Sequence, residues 1–401
     1  MGHYNFDEII HREKTHSVKY DLRTKNFGTE DVIPMWVADM DFRTPDFVVD
    51  AIRRRAAHEL YGYTFIPESF YESFQSWMKR RHGWDVRREW ILYCPGVVPS
   101  LVVALLSFTA PGEGVLVQTP VYYPFFSVIG NNGRMLVENP LELRSGRLCM
   151  NEDRLAACLD EKVKLMFLCS PHNPGGTVWK REELARLGEL CLKNKTIIVS
   201  DEIHADLVFQ GHEHCPTASL TEEMTQNTVT LVSPNKTFNI AGLSASVAII
   251  PNRELFDRFK QTLENLHWMI PNIFAITAFE AAYLGGDGWL EQLLTYLEGN
   301  LNQVMDFMER EIPKIKPIRP EGTYLVWLDC RELGMTTEAL KAFMIGRARV
   351  GLNDGPMFGT GGEGFQRMNI ACPRSVLNEA LARIADATSK KKINQNSLFS
   401  L

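Results

Sequence analysis

The run Val229-Thr230-Leu231-Val232 leads straight into Ser233-Pro234-Asn235-Lys236-Thr237-Phe238, so a serine hydroxyl and a lysine amine stand three residues apart where a strand would end. At a sheet edge the amine can condense with an aldehyde and the hydroxyl can hold a phosphate. Pyridoxal 5′-phosphate (PLP) carries both groups, and its enzymes hold it through a lysine Schiff base. A plain surface lysine in a loop is the competing reading, and other motifs weigh against it.

A ring that accepts electrons needs its nitrogen protonated, and a carboxylate beside that nitrogen raises its pKa. Asp201 follows Thr196-Ile197-Ile198-Val199-Ser200 and so emerges at a strand's C-terminal end, where parallel sheets place ligands. The turn Ser170-Pro171-His172-Asn173-Pro174-Gly175-Gly176 has a stiff backbone path, and Asn173 can donate its amide to a phenolate-type oxygen or help hold a substrate carboxylate. Pro95-Gly96-Val97-Val98-Pro99 opens a helix whose free N–H groups suit a phosphate. Tyr122, just past Leu116-Val117-Gln118-Thr119-Pro120, can stack on a planar ring or simply pack. Arg374, at the end of Arg367-Met368-Asn369-Ile370-Ala371-Cys372-Pro373-Arg374, can clamp a carboxylate or form a surface ion pair.

These groups need a scaffold. Short β-branched runs predict strands over 90–93, 115–118, 134–137, 164–169, 196–200, 229–232 and 246–250, with helices over 98–108, 123–131 and 181–193 among them. This alternation predicts an α/β fold whose mostly parallel, seven-stranded sheet is flanked by helices. A helix over 273–284 then breaks at Gly285-Gly286-Asp287-Gly288. A long helix follows, with apolar residues three and four apart from Leu290 to Ile312; then come a strand at 323–329, a helix at 337–347 and a final helix at 375–389. The expected organisation is a large cofactor-binding domain over 46–285, a smaller α+β domain from 1–45 and 286–392, and a frayed tail over 393–401.

Composition narrows the class. Hydrophobic residues make up 45% and charged residues 23%, as in a soluble globular protein, and the net charge of −6 predicts no general affinity for nucleic acid or anionic membrane. The basic runs at 53–55 and 390–392 read as solvated faces. The eight cysteines form no Cys-x-x-Cys pair, which argues against a metal site and fits a reducing compartment. The polar start, without an apolar core, predicts no signal peptide and a cytoplasmic location; Gly2 lacks the Ser or Thr that myristoylation expects.

Together with Ile33-Pro34-Met35-Trp36-Val37-Ala38-Asp39-Met40-Asp41-Phe42, Tyr61-Gly62-Tyr63-Thr64 and Ser200-Asp201-Glu202-Ile203-His204-Ala205-Asp206, these motifs resemble the fold-type-I PLP enzymes of the aminotransferase class I/II superfamily. They are most similar to its cystathionine β-lyase branch, the C–S lyases of the MalY/PatB type. The resemblance implies that Lys236 carries the cofactor, Asp201 meets its ring nitrogen, Asn173 its ring oxygen and Tyr122 its ring face, with Lys236 and Tyr122 counted as catalytic. It implies that Gly96, Val97, Val98 and Ser233 hold the phosphate, and that Arg374, Asn173 and the Trp36-Val37-Ala38 segment meet an amino-acid substrate. Tyr63 would reach the neighbouring subunit's phosphate in a two-fold homodimer. Two positions depart from the usual aminotransferase pattern: Ser244 stands where an arginine is common, and His204 where a tyrosine meets the ring oxygen.

The implied reaction is β-elimination from cystathionine, cysteine or related S-substituted cysteines, giving a thiol, pyruvate and ammonia. An aminotransferase shares its first step. An added regulatory role through protein binding is a third reading, and no basic stripe or helix-turn-helix pattern suggests direct DNA contact.

Overall fold

The computed structural model describes residues 3–389. Gly2, the 390–392 basic run and the tail expected over 393–401 lie outside the described residues. Helices α1 (Asp46–Ala56) and α2 (Glu68–His82) precede a seven-stranded sheet. Its strands are β1 (Ile91–Cys94), β2 (Gly114–Val117), β3 (Met135–Glu138), β4 (Val163–Cys169), β5 (Ile197–Asp201), β6 (Thr228–Val232) and β7 (Ser246–Ile249). They lie in the order β1-β7-β6-β5-β4-β2-β3. Only β7 is antiparallel to its neighbours, so the other six strands end at one edge.

The apolar runs become strands because both faces are covered. Leu165 and Phe167 of β4 join Val115, Val199 and Val229 in one layer, while Met166 and Leu168 join Leu116 and Ile198 in the other. This is the two-residue alternation of a strand buried on both sides. Helices α3 (Val97–Phe108), α4 (Pro124–Asn131) and α6 (Arg253–Asn265) supply Leu101, Phe125 and Phe259 to the first layer; α5 (Arg181–Lys193) supplies Leu184 and Leu187 to the second.

Helix α7 (Ile273–Gly285) is followed at once by the long α8 (Asp287–Glu311), with Gly286 at the joint. A Cβ on Gly286 would come within 2.3 Å of the Phe238 ring, so the close approach of this joint to the lysine segment requires glycine. Beyond it, β8 (Lys316–Ile318), β9 (Leu325–Asp329), β10 (Asn353–Asp354) and β11 (Phe365–Asn369) form an antiparallel sheet, and α9 (Arg374–Ser389) ends the described chain. The helix expected over 337–347 runs as an α-helix to Ala342 and then widens into a π-type turn over Phe343–Ala348. Near the chain's start, Ile33 and Pro34 pair in parallel with Val350 and Gly351, which ties the opening segment to the later part of the chain.

Candidate active site

Five strand ends supply the site. Gly96 and Val97 follow β1, Tyr122 follows β2, the Asn173 turn follows β4, Asp201 closes β5 and Lys236 follows β6. They surround a cavity of about 290 Å³ whose lining includes Gly96, Val97, Val98, Tyr122, Asn173, Asp201, His204, Lys236 and Ala38. The sheet therefore brings together the lysine, aspartate, asparagine, tyrosine and helix start that the sequence singled out.

At one end, α3 begins on Gly96, whose φ of 148° belongs to glycine's region. Its carbonyl accepts from Ser100 N at 3.0 Å and Ser100 Oγ at 2.7 Å, and the first-turn residues Val97 and Val98, whose N–H groups have no partner within a helix, line the cavity, which suits an anion. Ser233 behaves differently from its expectation. Its hydroxyl donates to the Ala245 carbonyl at 2.6 Å and it stays off the lining; Ser244 is the serine that faces the cavity beside Lys236.

Asp201 is buried, and its Oδ1 accepts from Ile203 N at 3.2 Å. Burial pushes this carboxyl up to about 7, with the neighbouring Glu202 adding to the rise against the pull of Ile203 N–H and Lys236. The Lys236 amine donates to the Ala38 carbonyl at 2.6 Å, and the Tyr324 hydroxyl donates to the same oxygen at 2.9 Å. Burial brings Lys236 down to about 8; Arg367 lowers it further while Asp39 and Asp201 oppose. His204 is buried with Nδ1 unpartnered, and burial, together with the cations Lys236 and Arg367, drops it to about 3, so its ring stays neutral.

Two expected substrate contacts are redistributed. Arg374 does not reach the cavity. It begins α9, its guanidinium lies over the Tyr296 ring at 4.9 Å, and its Nε donates to Asn300 Oδ1 at 3.1 Å. The proline before it starts a helix that carries the side chain away. Arg367 of β11 takes the place beside the site: its Nη1 donates to Asn173 Oδ1 at 2.9 Å, and its Nη2 donates to Asn353 Oδ1 at 2.6 Å and the Trp36 carbonyl at 2.8 Å. Its buried Nε has no partner, and burial lowers it to about 10, still cationic at neutral pH. Of Trp36, Val37 and Ala38, only Ala38 lines the inner cavity. Val37 lines the outer groove, and the Trp36 indole turns away to donate to the Lys19 carbonyl and cross the Phe27 ring.

The opening segment is strapped across the site by its carbonyls. Met35 O accepts from Asn369 N, Trp36 O from Arg367, Val37 O and Asp39 O from Asn369 Nδ2, Ala38 O from Lys236 and Tyr324, and Met40 O from Asn239 Nδ2. Arg367, Asn369 and Tyr324 were missed in the sequence. For Arg367 and Asn369 the usable signal was their two-residue spacing with Phe365 and Ala371, which is the period of one strand face. Tyr63 lies outside the cavity and is 98% exposed.

The residues fit PLP. A buried carboxyl suits a cationic ring nitrogen, the unpartnered His204 Nδ1 and Asn173 suit a ring oxygen, the free N–H groups of α3 suit a phosphate, and a partly deprotonated amine suits an aldehyde. The chain resembles known proteins along nearly its full length. It is 44% identical to cystathionine beta-lyase PatB of Bacillus subtilis over 96% of this chain and 100% of that one. A PLP-bound putative aminotransferase from Clostridium difficile superposes with a TM-score of 0.94 at 42% identity, covering 96% and 100% of the two chains. A PLP-bound C–S lyase from Staphylococcus hominis gives 0.89 at 35% identity, covering 96% and 99%. The sequence profile of aminotransferase class I and II matches residues 30–384, and the chain belongs to that family.

Proposed function

We propose that the protein is a PLP-dependent carbon–sulfur β-lyase that cleaves cystathionine, cysteine or related S-substituted cysteines to a thiol, pyruvate and ammonia. The observation that carries this is the Lys236 amine and the buried Asp201 carboxyl on the lining of one cavity, in a chain that matches lyases along its length.

Lys236 would hold the cofactor covalently, with Asp201 at the ring nitrogen, Asn173 and His204 at the ring oxygen and Tyr122 on the ring face. Gly96, Val97 and Val98 would take the phosphate, with Ser244 rather than Ser233 presenting a hydroxyl. When bound, PLP supplies an aldehyde that joins the substrate amine and a ring that draws electrons from the substrate's α-carbon. The protein supplies the rest. Lys236 Nζ removes the α-proton, and its lowered affinity for protons leaves a useful fraction unprotonated near neutral pH. The Ala38 carbonyl gives that amine a fixed resting point. Arg367, held by Asn173, Asn353 and Trp36, keeps Nε free for the substrate carboxylate. With a cationic ring nitrogen beside it, Asp201 would be held as the carboxylate.

The test is purified protein with cystathionine, followed for pyruvate, and separately with an amino acid plus a 2-oxo acid, followed for amino exchange. Pyruvate release that vanishes in Lys236→Ala is the expected result. Fast exchange with no pyruvate would turn the reading to an aminotransferase, the activity in the name of the Clostridium difficile structure.

A further inference from the structure

Lys236 and Asp201 are each followed by a residue tied to a buried charge that lies off the cavity lining. Thr237, next to Lys236, donates its hydroxyl to Asp206 Oδ2 at 2.8 Å. The other oxygen of Asp206 accepts from Trp77 Nε1 at 2.9 Å and pairs with His82 Nε2 at 2.8 Å, both on α2. Glu202, next to Asp201, accepts from Ser200 Oγ at 2.8 Å and Thr217 N at 2.9 Å, and pairs with His214 Nε2 at 2.9 Å. The two imidazoles meet edge-on, 5.5 Å apart at 85°. Burial works against ionisation of both carboxyls, and their histidines and hydrogen bonds outweigh it, so both sit below the usual carboxylate range.

A buried polar contact of this kind contributes little net stability, because well-packed apolar residues in its place are often as stable. What it does supply is direction. Asp206 has three donors from two elements, and one of them is the residue that sets the backbone of Lys236. Around it, Phe238 N bonds the Pro234 carbonyl and Ile240 N bonds the Asn235 carbonyl, so the Lys236 turn is closed on itself, and Thr237 ties it by a hydrogen bond to Asp206 and through Asp206 to α2. The crossing His214 ring backs the His82 ring from the Glu202 side.

We infer that Asp206, held by His82, is a positioning residue that fixes the Lys236 turn through Thr237 and so sets how the lysine amine meets the cofactor and the substrate's α-proton. This rests on Lys236 being the attachment point. Thr237→Val keeps the volume and removes the donor, Thr237→Ser restores it, and Trp77→Phe removes a different donor to the same carboxylate while keeping an aromatic ring against Phe238 of the lysine turn.

Four readouts separate the cases: melting of the cofactor-free protein, its affinity for PLP, the pH titration of the loaded protein's absorbance, and kcat and KM for cystathionine. Thr237→Val is expected to lower kcat about tenfold or more with little change in KM, as a small misplacement of a reacting group does. It should also weaken PLP binding and move the absorbance midpoint. Thr237→Ser should recover all of these. Trp77→Phe should lower the melting temperature while leaving the absorbance midpoint and kcat near wild type. If Thr237→Val and Trp77→Phe behave alike, or Thr237→Val keeps the wild-type titration and kcat, the inference is overturned. Should the valine variant not fold, Thr237→Ala carries the same comparison. Borohydride labelling of position 236 in each variant shows that the attachment reading holds while the inference is judged; its absence from wild type overturns both.

Discussion

Arg367 and Arg374 stand seven residues apart, and their surroundings differ in kind. Arg367 is buried against Asn173, Asn353 and the Trp36 carbonyl with one donor left over; Arg374 lies on an aromatic ring at the start of α9. A spare buried donor is costly until something accepts from it. Arg367→Lys should therefore lower kcat/KM for cystathionine roughly 10- to 150-fold, the equivalent of about 1.5–3 kcal/mol for a charged hydrogen bond, whereas Arg374→Lys should change it little. Steady-state kinetics of the two variants decide which arginine the substrate meets.

Asp201 yields a pH prediction of definite sign. Its carboxyl is raised from an ordinary 3.8 to about 7, so the folded, cofactor-free protein holds a proton there that the unfolded chain has released. The stability this contributes is fully present below about pH 4 and is lost as pH rises through 7. Urea midpoints of cofactor-free protein measured across that window should show Asp201→Asn lacking this fall. A flat wild-type profile with an identical Asp201→Asn profile would contradict the assignment.

Among the elements, the strands of the large sheet were readable because each is a compact apolar run buried on both faces, and the chemistry at their ends followed from Lys236, Asp201 and Asn173. Helix α2 was overlooked although Phe70, Tyr71, Phe74, Trp77 and Met78 mark one buried face at spacings of three and four. Glu72, Ser73, Gln75 and Ser76 interrupt the stripe, and the basic run from Lys79 to Arg81 follows it directly. What no local pattern could give was the strap. Its order comes from Asn369, Arg367, Asn239 and Tyr324, up to some 330 residues away along the chain. Asn369 alone donates to the Val37 and Asp39 carbonyls at 2.6 Å each and accepts from Ala371 N at 2.8 Å. Asn369→Ala should cost about 3 kcal/mol through buried groups left unpaired, read as a shift in the urea midpoint, and should lower activity more than a surface change of equal cost.

For the whole molecule, the expectation of a homodimer with shared sites makes Tyr63 informative. Tyr63 is 98% exposed, and Leu60, Tyr61 and Phe65 beside it are also exposed, so the described chain presents an apolar run at its surface. If Tyr63 completes a neighbour's phosphate site, Lys236→Ala and Tyr63→Ala proteins should each be impaired alone. After mixing under conditions that exchange subunits, activity should return to about one quarter of wild type, because half the dimers are mixed and each mixed dimer has one intact site. Failure of complementation despite proven exchange would place Tyr63 within its own subunit's business.

The strap has a practical corollary for anyone trimming this protein. A fragment beginning at Asp46 would retain every group at the sheet edge, including the lysine and the aspartate, and would look intact on a map of reactive residues. It would nevertheless lose the backbone oxygen on which the lysine amine rests and the one that steadies Arg367. The catalytic unit thus starts well upstream of the first residue that performs chemistry, and an N-terminal truncation should be designed as an active-site mutation.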